Sequence, residues 1–108
     1  YIRGYGADTA DADEMIGRFS SSTFPPVGGN YSFYSNAEFD ECIAAGAATM
    51  DEDARAEAYS QAQNILWEDL PAIPLLSSCY TSAYNEHIEG IDLTAAGCFF
   101  LMNAKYVE

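Results

Sequence analysis

Four carboxylates, Asp8, Asp11, Asp13 and Glu14, fall within seven residues just after a short apolar run. Acids so placed can pair with a ligand cation, hold a metal ion, or cap and charge the start of a helix. A calcium loop needs oxygen ligands at alternate positions, then glycine and a closing glutamate. Asp11-x-Asp13-x-Met15 fails at the third ligand and Gly17 is displaced, so no metal is expected. Asp11, Asp13 and Glu14 suit a helix start, where the dipole favours acids. Asp8 stands apart, at a strand-to-helix corner from which it can project into a cleft. A charge-assisted hydrogen bond from a ligand ammonium there is worth on the order of 1.5–3 kcal/mol net.

Other chemistry is thin. The lone His87 lies in a turn-like Asn85-Glu86-His87-Ile88 with no nucleophile motif beside it. There is no GxSxG, HExxH or P-loop pattern. The acids Glu38, Asp40 and Glu41 read as a solvated helix face rather than an acid–base pair. No enzyme and no cofactor are expected. Cys42, Cys79 and Cys98 are odd in number and lack a CxxC spacing, which argues against zinc. A Cys79–Cys98 bridge and three small buried apolar residues stay open as alternatives.

The elements that must position Asp8 follow from pattern. Residues 1–7, with two glycines, predict a short strand. Asp11 predicts the cap of a helix over 12–19, and a loop with aromatic Phe24, Tyr31, Phe33 and Tyr34 follows. Asn36 predicts the cap of a second helix whose apolar face is Phe39, Cys42, Ile43 and Ala47. Thr49 and Glu52 form a capping-box pattern ahead of a third helix that stops at Leu70 before Pro71. Its buried side would hold Ala58, Tyr59, Ala62, Ile65 and Leu66, with Trp67 also read as core. Residues 71–84 predict an extended, largely buried strand, and Phe99, Phe100 and Met102 a last short one. The class is α+β, a mixed α/β unit of three helices plus a few strands.

Composition bounds the partners. At 108 residues the chain has room for one modest domain that buries roughly two-thirds of its unfolded surface. The net charge of −13, from 17 acids against 4 bases, excludes nucleic acid, which requires Lys/Arg clusters. Half the residues are apolar (49%), so the chain is not compositionally disordered. No apolar run approaches the roughly 20 residues that span a bilayer. No signal peptide is seen, and Tyr1 in place of Met suggests a longer parent chain.

Taken in order, Tyr5-Gly6-Ala7-Asp8, Asn30-Tyr31-Ser32, Tyr34-Ser35-Asn36-x-Glu38-Phe39-Asp40, Arg55-x-x-x-Tyr59, Glu68-Asp69-Leu70-Pro71-Ala72-Ile73-Pro74, Gly90 and Asn103 form a pattern. It resembles the C-terminal quarter of the extracytoplasmic solute-binding proteins of peptide and nickel importers, solute-binding protein family 5. The resemblance covers about residues 4 to 107 and implies part of a two-lobed, class II periplasmic-binding-protein fold. Residues 1–70 would belong to the lobe that meets the ligand, and 71–108 would cross back toward the other. It further implies that Tyr5, Gly6, Ala7 and Asp8 are ligand-binding, with Asp8 anchoring a peptide α-ammonium. The backbone around Gly6 would pair with an extended peptide as an added strand. Family members usually show Asp-Pro-Asp where this chain has Asp11-Ala12-Asp13, which weakens the helix start without altering the ligand logic.

The expected role is therefore the substrate-binding component of an ABC-type importer, capturing peptides or a related small solute. Its partners would be the solute and, through the full-length protein, a membrane permease. It would work outside the cytoplasmic membrane, held there by an N-terminal lipid outside this chain. Taken alone, the segment is expected to self-associate. The contrasting expectation is a stand-alone acidic protein-interaction module without a transport role.

Overall fold

The computed structural model describes every residue except Tyr1, Arg3, Ala7, Asp8, Ala10, Ser78, Tyr80, Ala95 and Ala96. It divides into two compact units, Tyr1–Pro74 and Leu75–Glu108.

The first unit is helical. Asp11 adopts extended backbone and its side chain accepts from the Asp13 amide, opening the short helix α1, Ala12–Ile16. Two 3₁₀ turns, Gly17–Phe19 and Ser21–Thr23, continue the chain. Among the described residues of 1–7 there is no strand, contrary to the sequence pattern. A strand needs a neighbouring backbone, and the alternation of apolar residues cannot supply one.

Helix α2, Ala37–Ala48, is capped by Asn36, whose Oδ1 accepts from the Glu38 and Phe39 amides. Helix α3, Glu52–Asp69, begins at Asp51 rather than at Thr49. Asp51 Oδ1 accepts from the Ala54 amide at 2.8 Å, while Thr49 Oγ1 only receives the Asp51 amide. Of two capping residues two positions apart, the aspartate lies in register with the first turn and displaces the expected capping box. Leu70 ends α3 in the left-handed conformation (φ 46°), its amide returning to Leu66 O, and Pro71 prevents further helix.

The core is where the three helices meet. Ile16, Phe39, Tyr59 and Ala62 are buried, and Phe19, Tyr34, Cys42, Ile43, Ile65 and Leu66 pack against them. The helical spacing of Phe39, Cys42 and Ile43 is borne out. Ala47 is exposed, however, and the buried position beside them is Gly46. A Cβ at Gly46 would sit 2.8 Å from Tyr59 Cζ, so only glycine lets α2 and α3 approach at this level. Trp67, expected in the core, is 71% exposed. It lies one residue past the buried stripe of α3, on the outward side.

The second unit consists of two nested antiparallel ribbons. Strand β1 (Ile88–Glu89) pairs with β4 (Lys105–Tyr106), Ile88 opposite Tyr106 and Glu89 opposite Lys105. Within it, β2 (Asp92–Leu93) pairs with β3 (Phe99–Phe100). Left-handed glycines turn the chain at Gly90 (φ 77°) and Gly97 (φ 80°). Residues 71–84 contain no strand among those described, and Ile73, Leu75 and Leu76 are more than two-thirds exposed. The buried strand expected there lacks a sheet to join, and its apolar side chains face outward. Cys42 is half-buried, and Cys79 and Cys98 are exposed free thiols, which overturns both the Cys79–Cys98 bridge and the reading of all three as buried.

The α1 corner as a candidate ligand site

The acids of the corner sort into distinct tasks. Asp11 caps α1 and receives Arg55 Nη2 at 2.6 Å. The Asp13 amide and then Arg55 hold the Asp11 carboxyl below the usual carboxylate range. Asp13 accepts from the Tyr59 hydroxyl at 3.2 Å. Arg55 also donates to Gly46 O at 2.9 Å and lies over the Tyr59 ring at 5.0 Å. One guanidinium thus joins the start of α1, the last turn of α2 and the face of α3. The expectation that Asp11, Asp13 and Glu14 organise a helix start agrees with this geometry.

Glu14 and Arg18 lie one helical turn apart and pair at 2.9 Å. Glu14 Oε2 accepts from both the amide and the hydroxyl of Thr9, at 2.8 and 2.9 Å. Arg18 Nη2 reaches Gly6 O at 3.2 Å, and its guanidinium lies 5.6 Å from the Tyr5 ring centre. Tyr5 in turn meets the Phe19 ring at 6.4 Å. Of the four residues expected to bind ligand, Tyr5 is half-buried against this group and Gly6 is exposed. Ala7 and Asp8 lie outside the described residues. Arg18 was absent from the sequence reading, although its i,i+4 spacing from Glu14 is visible there.

Glu14 and Arg18 also line an open cleft of about 440 Å³ together with Asp13, Ser22, Thr23 and Gly28. The loop that walls it is organised by Asn30, which is only 1% exposed. Its side-chain amide donates to the carbonyls of Phe19, Ser20 and Tyr34, and its Oδ1 accepts from Ser32 Oγ and the Tyr34 amide. The aromatic residues divide accordingly. Phe24 packs on Phe33 at 5.6 Å and Tyr34 on Phe39 at 5.7 Å, while Tyr31 and Phe33 remain largely exposed.

Two further carboxylates fasten the loop and helix ends. Asp40 accepts from the amide and hydroxyl of Ser21, at 3.0 and 2.6 Å. Burial pushes its carboxyl up, but the bonds from Ser21 and Ser20 outweigh that and leave it below its ordinary value. Asp69 accepts from Tyr34 Oη at 2.6 Å and Asn36 Nδ2 at 2.8 Å, closing the end of α3 onto the cap of α2. Burial, and then Asp69, push the Tyr34 phenol well above its usual value. Among the described residues, no group of His, Cys, Asp and Glu is arranged to hold a metal ion, and no helix is long and apolar enough to cross a membrane.

No family model matches the chain. Curated proteins do. It is 34% identical over 91 residues to the glutathione-binding protein GsiB of Salmonella typhi, an alignment covering 83% of this chain and 18% of that protein. The proteins of the same name from Salmonella paratyphi A and Escherichia coli (strain K12) are 33% identical over the same extent. The chain belongs to solute-binding protein family 5. It spans less than a fifth of the length of these relatives (18%). The family assignment formed from the ordered motifs and the match to these proteins agree, and the α+β architecture is that of a piece of a larger binding-protein fold.

Proposed function

We propose that this chain is part of a solute-binding protein that captures a small peptide or peptide-like solute outside the cytoplasmic membrane for an ABC-type importer. The observation that carries the reading is the match to glutathione-binding proteins over 83% of the chain. Glutathione is a γ-linked tripeptide whose glutamyl residue keeps a free α-ammonium. A ligand of that class needs a carboxylate to receive the ammonium, and Asp8 in Tyr5-Gly6-Ala7-Asp8 is the residue assigned to it. Tyr5 and Gly6 support the assignment, because Tyr5 is braced by Arg18 and Phe19 while Gly6 is exposed, leaving room for an extended ligand backbone.

The role assigned is binding and delivery, with the importer's membrane permease as partner and a lipid as the tether. No covalent chemistry is assigned to any residue.

The test is native mass spectrometry of the longer polypeptide that carries this segment, purified without added ligand, beside its Asp8→Ala variant. Glutathione or a ladder of peptide masses on the wild type, lost or reduced in the variant, is the expected result. Peptide masses unaffected by the substitution would remove Asp8 from its role. A sugar or metal chelate in their place would remove the peptide.

A further inference from the structure

Ala56, Ser60, Gln63 and Trp67 on α3, and Leu70 at its end, recur at intervals of four, three, four and three residues. That spacing sets them along one side of the helix, and all five are exposed. The side is distinct from the stripe that buries Tyr59 and Ala62. It carries no charge, although α3 holds five carboxylates and the whole chain stands at −13. Ala56 and Ser60 are small, whereas Trp67 and Leu70 are large and more than half exposed. Small side chains let another backbone come close and large ones fill its grooves, and intervals of three and four are those at which a second helix packs. An exposed apolar strip rimmed by polar residues marks an interaction surface.

Length and charge decide what covers it. The segment aligns to 18% of a curated relative, so most of such a protein lies outside it. Glu57 and Glu68 directly follow Ala56 and Trp67, and the only base of α3, Arg55, is committed to Asp11. Two copies of α3 face to face would set acids against acids with no base between them. Another segment of the same polypeptide can bring Lys or Arg to the rim instead.

We propose that this side of α3 is an intramolecular docking face, covered in the longer protein by an amphipathic, basic-rimmed helix from outside residues 1–108. This rests on the reading above that the chain is part of a larger solute-binding protein. A second copy of the chain takes the face only when the remainder is missing. Docking removes Trp67 and Leu70 from water and holds the end of α3, where Asp69 ties down Tyr34 and the α2 cap.

Photo-cross-linking of the longer protein tests the face and its occupant together. With p-benzoylphenylalanine in place of Gln63, links should form within one chain to a segment outside residues 1–108. Mixing isotopically labelled and unlabelled copies separates these from links between copies. In the same protein Trp67→Lys should lower the melting temperature by about 5 °C. Gln61→Lys, the same charge change at an exposed position of α3 away from the strip, should move it by less than about 1 °C. Links between copies, links confined to residues 1–108, no links at all, or equal shifts for the two variants would overturn the docking face. Native mass spectrometry of the same preparation keeps that outcome apart from the reading it rests on. Solute bound without the expected link overturns the docking alone, and the link without bound solute overturns the solute-binding reading alone.

Discussion

Gly90 and Asn103 meet across the nested ribbons. A Cβ at residue 90 would run into the Asn103 carbonyl oxygen and lie 2.7 Å from its carbonyl carbon. Gly90 also adopts φ 77°, where an L side chain is strained. The two residues closing the sequence pattern are thus one structural device, a glycine that lets the returning backbone pass. Gly90→Ala should cost about 1–2 kcal/mol from the backbone conformation alone, before the clash is added. Hydrogen exchange should show the Val107 amide, bonded to His87 O at 2.7 Å, losing its protection while the amides of α3 keep theirs.

Asn30 should be among the least replaceable residues of the first unit. Asn30→Asp keeps the acceptor for Ser32 and Tyr34 but takes the donor from the carbonyls of Phe19 and Tyr34, while Ser20 O keeps the amide and hydroxyl of Thr23. Unsatisfied buried groups cost about 1–3 kcal/mol each, so a loss of about 3 kcal/mol is expected in denaturant titration. Asn30→Ala should be comparable, because it removes the same donor. A loss below 1 kcal/mol for both would show that the loop is held by other means.

Phe39 and Trp67 should behave oppositely despite similar size. Phe39 is fully buried between α1, α2 and α3, and Phe39→Ala should cost about 3–5 kcal/mol by chemical denaturation. Trp67→Ala should stay within about 0.5 kcal/mol, since the indole is 71% exposed. Light scattering of the 108-residue chain should show self-association that Trp67→Ala reduces, because Trp67, Leu70 and Ile73 together expose apolar surface on the first unit.

Acid should destabilise the fold in a defined window. The carboxyls of Asp40 and Asp69 sit below the ordinary value of 3.8, Asp40 because its hydroxyl and amide donors outweigh burial, Asp69 because Tyr34 and Asn36 donate to it. A depressed carboxyl stabilises the native state above the unfolded value and loses that contribution as pH falls through the lower native value. The melting temperature should therefore drop below about pH 3.8 rather than between pH 7 and 5, where partial protonation only relieves the repulsion of a −13 chain. Asp40→Asn should make that drop shallower, as followed by circular dichroism from pH 7 to pH 2.

The caps at Asp11 and Asn36 and the stop at Leu70-Pro71 were legible in the sequence because each is settled within one turn of backbone. The stripe of Tyr59, Ala62, Ile65 and Leu66 was legible for a related reason, since helical hydrogen bonds close inside the segment and leave side-chain direction to a fixed period. The resemblance to the family, carried by the ordered motifs, agrees with the match to the curated relatives. Strands at 1–7 and 71–84 did not form among the described residues, because a strand is completed by a backbone elsewhere, which a local pattern cannot specify. Thr49 yielded to Asp51 by two residues of register, and Trp67 faced outward through a single step around α3. At the candidate site, the Glu14–Arg18 spacing could be read along the chain. That the pair grips Gly6 and Thr9, that Asn30 gathers three carbonyls, and that Gly90 makes way for Asn103 depended on segments brought together only by folding.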